Sequence, residues 1–311
     1  MAFNVAVFKT RALTAIVFVV VMLAGLLLNG WSFFLLFSVI HFGCWIEYQK
    51  LVAKIDPEYA HISGFHKYGV MIAGWCLMLY FTKDELHFFT IRFHEIGWWL
   101  GLLFVFILPI IELLFAKQMR LKNIAHSALG LLYISLSFGL LMDLYGYLPA
   151  PPLIVPPFDI EPDHFNLAAK NIPWLLPVVI IGCMWINDTM AYIVGSLIGK
   201  TPFSKISPKK TWEGTLGGII LCVIAVGFLL SSLWKNEVPY VQIASYHWYI
   251  IAAIAAITGT AGDLFESKLK RLANVKDSGQ FMPGHGGFLD RFDSLLVATP
   301  FVWLYVVLFL K

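Results

Sequence analysis

Nine stretches of mostly apolar residues divide this chain from end to end. They run over roughly 12–28, 31–46, 68–82, 97–116, 124–145, 172–198, 214–234, 248–265 and 294–310. A helix that crosses the hydrocarbon core of a bilayer needs about 20 such residues. The pattern therefore predicts an all-α, polytopic integral membrane protein with about nine transmembrane helices. The third stretch is short. The sixth is long and carries Asn187 and Asp188, so it is expected to be tilted, broken or lined by protein. Lys9 and Arg11 precede the first stretch as they would in a signal peptide. No small-residue cleavage site follows at Asn29-Gly30-Trp31, however, and the stretch reads as a retained helix.

Composition agrees. Of 311 residues, 59% are hydrophobic and 13% are charged, whereas a soluble domain carries about 25% charged residues. The same apolar content excludes a disordered chain. The four cysteines, Cys44, Cys76, Cys183 and Cys222, are far apart with no C-x-x-C pair, which excludes a disulfide scaffold and a zinc ribbon. No feature suggests a nucleic-acid partner.

Orientation follows from Lys and Arg, which concentrate in cytoplasmic loops. With the N-terminus in the cytoplasm, the inside segments 1–11, 47–67, 117–123, 199–213 and 266–293 hold 17 of the 22 Lys and Arg residues, and the outside segments hold 5. This predicts an N-in, C-out protein of the cell inner membrane. The outside segment 146–171 is rich in proline and reads as an extended surface loop. Residues 1–170 are mostly plain spans with short loops, expected as a scaffold. Residues 171–311 hold the unusual polar residues and are expected to be the catalytic region.

Three polar clusters fall on or beside the inner face. Asn187-Asp188-Thr189 lies inside the sixth stretch, where an acid is costly and faces a cavity or a partner. Asp143 and Glu112 are lone acids and are expected as helix-end or bundle contacts. The second cluster is Ser207-Pro208-Lys209-Lys210-Thr211-Trp212-Glu213-Gly214. Adjacent ammonium groups in a turn that opens a helix suit a phosphate chain. Gly195 to Thr201 is a near miss for a P-loop, one residue short and following a membrane helix, and is rejected. Gly214 and Gly218 form a G-x-x-x-G pair suited to close helix packing.

The third cluster is the densest. Asp263 is placed at the last turn of the eighth stretch with Ser267 four residues on, and Lys270 and Arg271 follow. Next come Val275-Lys276-Asp277-Ser278-Gly279 and Pro283-Gly284-His285-Gly286-Gly287. Asp290 and Asp293 lie three apart at the start of the ninth stretch, on one face. Carboxylates without a His/Cys set suit Mg²⁺ better than zinc, and the glycines would let backbone N–H groups approach a phosphate. Cations for phosphates and acids for a divalent metal, at one leaflet, point to phosphoryl or nucleotidyl transfer at a lipid head group. The residues name neither the nucleotide nor the lipid.

The stretch from Ser267 through Lys270-Arg271, Lys276-Asp277-Ser278-Gly279 and Pro283-Gly284-His285-Gly286-Gly287 to Asp290-Arg291-Phe292-Asp293 resembles the signature of the phosphatidate cytidylyltransferases, or CDP-diacylglycerol synthases. Ser207 to Gly214 and Asn187-Asp188-Thr189 with Ala191-Tyr192 resemble that family's other blocks. The resemblance covers about 185–294; the N-terminal half agrees by hydropathy alone. It implies transfer of a cytidylyl group from CTP to phosphatidic acid of the inner leaflet, giving CDP-diacylglycerol and pyrophosphate in phospholipid biosynthesis. It also implies a Mg²⁺-dependent site, with room for a monovalent cation such as K⁺ beside it. Asp263 and Asp290 would ligate the cations, with Asp293 supporting them or binding directly. Lys209 and Lys210 would hold the triphosphate, Lys210 joining the two acids as a catalytic group. Ser267, Lys270 and Arg271 would face phosphates, His285 and Gly286 would shape the nucleotide pocket, and Asp188 would line the embedded part of the cavity. A homodimer is compatible with this reading. The residues leave open a CTP-using relative acting on another lipid phosphate, such as a polyprenyl substrate. A transporter would need charge pairs spread through several spans and an internal repeat, and neither is found.

Overall fold

The computed structural model describes residues 5–82, 86–115, 120–147, 172–204, 206–237, 243–281 and 286–310. Among these residues, nine long helices fall where the nine apolar stretches were expected. They are α1 (Val5–Leu27), α2 (Gly30–Ile55), α3 (Gly64–Tyr80), α4 (Phe93–Phe115), α5 (Leu121–Leu144), α6 (Leu175–Ile198), α7 (Trp212–Glu237), α8 (Ser245–Leu272) and α9 (Leu289–Phe309). Seven of the nine are long and apolar enough to cross a membrane; α1 and α3 are the two outside that set. The chain is an all-α multi-pass membrane protein. The described strands are a hairpin pairing His87–Phe88 with Ile91–Arg92. Residues 148–171, most of the proline-rich loop, lie outside the described residues.

The chain divides into two compact units, 1–143 with 262–296, and 144–261 with 297–311. Each is described by itself.

In the first unit α2 is the central helix. Asn29 caps it by accepting from the Ser32 N–H at 2.9 Å, and Ser32 returns the bond to the Asn29 N–H, which satisfies two otherwise orphaned donors. Phe33, Phe37, Cys44, Trp45, Tyr48, Leu51 and Val52 are all at most 2% exposed. Phe37 meets Phe138 of α5 at 5.6 Å and Phe292 of α9 at 6.4 Å between ring centroids. Inside hydrocarbon, a polar group must find its partner within the protein. Two serines of α5 serve that need. Ser127 Oγ bonds His66 Nε2 at 2.8 Å and Tyr59 OH at 3.1 Å, and His66 Nδ1 lies 3.1 Å from Glu112 of α4. Ser135 Oγ lies 2.9 Å from His41 Nε2 and accepts from Trp45 Nε1 at 2.8 Å. Ser135 sits in a wider π-type turn, Leu131–Leu136, within α5. Glu112 is thus a bundle contact, as the sequence suggests.

In the second unit α6 is an unbroken helix, and α7 packs closely against it. Asn187 is buried and donates to Thr260 of α8 at 3.3 Å, so protein lines the helix on that side, as its polar residues predict. The G-x-x-x-G pair makes the close approach possible. A Cβ on Gly218 would stand 2.9 Å from both the Ala191 N and the Asn187 carbonyl oxygen of α6, and one on Gly214 2.7 Å from the Ala191 oxygen. All four cysteines are buried and free.

The backbone leaves no room to yield at Gly218, so Gly218→Val is expected to destabilise the purified protein by about 1–3 kcal/mol through overpacking. A Cβ on Gly182 meets nothing within 4 Å, and Gly182→Ala is expected to be neutral or stabilising. Thermal melting of the two variants in detergent checks the contrast.

Candidate active site

In the first unit α8 runs on to Leu272. Asp263 is therefore more than two turns before the helix end, not in its last turn as the hydropathy suggests. The extension is polar but strongly helix-forming. Glu266 and Lys270 pair at i, i+4, and Lys270 and Arg271 sit in the last turn, where positive charge complements the helix dipole. Asp263, Glu266, Ser267 and Lys270 recur at helical spacing and share one face of α8.

Lys270 is the hinge of the charge arrangement. Its ammonium donates to Asp290 Oδ1 at 2.7 Å and contacts Glu266 Oε2. The Glu266 side chain is 0% exposed, the Asp290 side chain 8% and the Lys270 side chain 15%. Asp290 and Asp293 both lie within electrostatic reach of Glu266. Three acids and one ammonium are therefore gathered at the junction of α8 and α9. Removing one member of such a buried pair leaves an uncompensated charge, at a cost of about 3–5 kcal/mol.

The other oxygen of Asp290 is held by the loop before α9. Asp290 Oδ2 accepts from the Ser278 N–H at 2.9 Å and the Gly287 N–H at 2.8 Å, and lies 2.9 Å from the Ser278 hydroxyl. Gly286 has φ +89°, and a Cβ there would stand 2.6 Å from Asp290 Oδ2. Only glycine suits that backbone and that space. His285 lies outside the described residues. Arg271, Lys276 and Asp277 are exposed, and Ser267 is half-buried on the α8 face.

Two acids of the cluster, Glu266 and Glu47, are not among the candidates that the sequence singles out. Glu47, on α2, is 6% exposed. Its carboxylate accepts from Ser278 Oγ at 2.7 Å, the Phe288 N–H at 3.0 Å and the Leu289 N–H at 2.9 Å. Each hydrogen bond to a charged group contributes about 1.5–3 kcal/mol. The signal available in the sequence is its register. Phe33, Phe37, Ile40, Cys44, Glu47 and Leu51 follow each other at three- and four-residue steps, so Glu47 stands on the apolar stripe of α2.

In the second unit Lys209 and Lys210 lie in a tight turn whose ends are tied together. Pro202 pairs with Thr211 as a β-bridge, the Phe203 N–H donates to the Lys210 oxygen at 2.7 Å, and the Trp212 N–H to the Thr201 oxygen at 2.9 Å. Thr211 caps α7 by accepting from the Gly214 N–H at 3.1 Å. Glu213 in the first turn of α7 accepts from the Lys200 and Thr201 N–H groups at 3.2 Å. Lys209 is exposed and Lys210 half-buried. Gly199 closes α6 against Thr211, a packing role that agrees with rejecting the P-loop reading. Asp188 lies on an exposed face of α6. Of the predicted acids, Asp290 and Asp293 gather with Lys270 and Glu266 in the first unit and Asp263 stands on the same face of α8, while Asp188, Lys209 and Lys210 belong to the second.

Among the described residues, no three His, Cys, Asp or Glu side chains are arranged to hold a metal ion directly. The donor chemistry nevertheless fits a hard cation. Glu266 Oε1 is buried without a hydrogen-bond partner among the described residues, while Oε2 meets Lys270. Carboxylates left in that state, beside two further acids, are what Mg²⁺ satisfies, and the Lys270 ammonium supplies the positive charge among them.

A family model described as the cytidylyltransferase family matches residues 9–309. This chain belongs to the cytidylyltransferase family. Its relatives include proteins named phosphatidate cytidylyltransferase. That of Synechocystis sp. is 44% identical over 143 residues, which is 45% of this chain and 47% of the relative. That of Bacillus subtilis is 37% identical over 150 residues, 47% of this chain and 54% of the relative. These two alignments span about half the relative's length. That of Haemophilus influenzae is 29% identical over 305 residues, 94% of this chain and 96% of the relative. Family membership therefore rests on nearly the whole chain.

Glu213 is the anchor of the turn that carries the two lysines. Glu213→Ala is expected to speed hydrogen exchange at the Lys200, Thr201 and Trp212 amides without changing exchange in the middle of α7. Exchange measured by mass spectrometry on the detergent-purified protein checks it.

Proposed function

We propose that this chain transfers the cytidylyl group of CTP to phosphatidate, forming CDP-diacylglycerol and pyrophosphate. The observation that carries the reading is the family match over 9–309, together with full-length similarity to a relative named for that activity. The geometry supports it, because a gathered set of acids balanced by a single ammonium suits the handling of phosphates and a divalent cation.

A phosphate oxygen of phosphatidate attacks the α-phosphorus of CTP. The bond from that phosphorus to the oxygen bridging to the β-phosphate breaks, and pyrophosphate leaves. No covalent enzyme intermediate is needed. Lys209 and Lys210 hold the triphosphate, with the dipole of α7 behind them. Asp263, Asp290, Glu266 and Asp293 are the groups that would hold Mg²⁺. A bound Mg²⁺ supplies charge neutralisation at the phosphate oxygens. Lys270 bridges Asp290 and Glu266 and holds them close to one another, and Ser267 and Arg271 meet the lipid or nucleotide phosphates. The clusters lie on segments rich in Lys and Arg, which supports a cytoplasmic face of the inner membrane, where CTP is available.

The purified protein, supplied with radiolabelled CTP, Mg²⁺ and a panel of lipid phosphates, is expected to label phosphatidate. Labelling of a polyprenyl phosphate instead of phosphatidate would overturn the choice of lipid. Asp263→Asn and Asp290→Asn are each expected to abolish turnover, a loss of about 1,000-fold or more, while the protein still inserts and folds. Lys210→Ala is expected to raise the CTP KM or lower kcat by about tenfold, and unchanged kinetics would return it to a plain topological charge.

A further inference from the structure

We infer that Glu47, far from the signature in sequence, is a positioning residue that fixes Asp290 through Ser278. The inference rests on the cytidylyl-transfer reading for its kinetic arm alone. Three observations converge. Glu47 accepts from the Phe288 and Leu289 N–H groups at 3.0 and 2.9 Å. It therefore fixes the backbone where α9 begins, one residue before Asp290. Its Oε2 also takes the Ser278 hydroxyl at 2.7 Å, and that hydroxyl stands 2.9 Å from Asp290 Oδ2. A hydroxyl has one proton and two lone pairs, so it can donate to only one of these carboxylates at a time. Glu47 thereby decides where the Ser278 proton points and how much electron density Asp290 Oδ2 retains.

The third observation is space. A Cβ on Gly279 would stand 2.1 Å from Glu47 Oε1, and one on Gly287 2.2 Å from Oε2. One turn earlier on α2, a Cβ on Gly43 would stand 2.4 Å from the Phe288 ring, which stacks on Phe281 at 3.9 Å. The face of α2 formed by Gly43 and Glu47 is thus a socket for Ser278, Gly279, Gly287 and Phe288. Two signature glycines are small because the Glu47 carboxylate lies against them.

The neutral amide of Glu47→Gln keeps the shape but has one acceptor oxygen where the carboxylate has two, and it turns a donor towards the loop N–H groups. Groups that orient acids of a cation site typically change cation affinity or activity by 10–100-fold. The full-length Glu47→Gln protein in detergent is therefore expected to lose about tenfold or more in kcat. Its half-saturating Mg²⁺ concentration is expected to rise about tenfold, with the CTP KM within about twofold of the parent. Binding of Mn²⁺ without substrates, followed by electron paramagnetic resonance, is expected to weaken in parallel. Glu47→Asp is expected to recover part of both losses. If Glu47→Gln melts below the assay temperature, Ser278→Ala takes its place, since it leaves the Glu47 bonds to Phe288 and Leu289 intact and is expected to move the same readings in the same direction. A folded Glu47→Gln or Ser278→Ala protein with parental kcat and parental Mn²⁺ affinity would overturn the inference. So would a loss of activity that only follows the loss of folded protein. If the parent itself fails to label phosphatidate, the proposed function falls, and the Mn²⁺ titrations still decide the role of Glu47.

Discussion

Hydrocarbon offers no hydrogen bonds, so a polar side chain on a buried helix face dictates which other helix must lie against it. α2 shows how far that constraint reaches. His41 and Trp45 meet Ser135, Tyr48 donates to the His126 carbonyl at 2.8 Å, and Glu47 accepts from the loop leading into α9. Apolar packing alone would let α2 rotate or slide among equally greasy neighbours. The polar contacts fix its register against α5 and against the start of α9 at once. The buried aromatic cluster of Phe33, Phe37, Phe138 and Phe292 then fills a space whose walls are already set.

At the junction of α8 and α9 the same constraint acts on charge. Glu266, Asp290 and Asp293 gather around one ammonium, that of Lys270. Water would screen such a group cheaply, but a nearly dry site cannot, and the nearby Lys270 ammonium offsets part of the cost of burying the acids together. A site of this kind is poised to accept further cation charge and to answer to phosphate. It concentrates, at one place in a chain short of charge, the groups that chemistry on a phosphate needs.

Hydropathy made the nine helices legible because burial in lipid selects long apolar runs irrespective of their partners. The residues around Asp290 were legible because acids, lysines and glycines crowd together in one stretch. What hydropathy hid were the polar continuations. It ended the eighth span near 265, yet Glu266, Lys268, Lys270 and Arg271 are good helix formers and carry α8 to Leu272. It ended the second span at 46, one residue before Glu47, and so placed the acid in a cytoplasmic segment, whereas α2 continues to Ile55. The pairing of Glu47 with Ser278 joins residues 231 apart, and local pattern carries no information about a partner that distant. Its register on the apolar stripe was the one trace left.

The socket on α2 bears on how freely such chains can be recombined. The acids, the lysine and the glycines of the signature look like a self-contained cassette, because they lie within one short segment. They are not self-contained: the loop is shaped around a carboxylate that the opening third of the chain supplies. A chimera carrying these last helices on a foreign set of first helices would display the whole signature and yet lack its keystone, unless the donor of the N-terminal part brings an acid at the same depth of its own second helix.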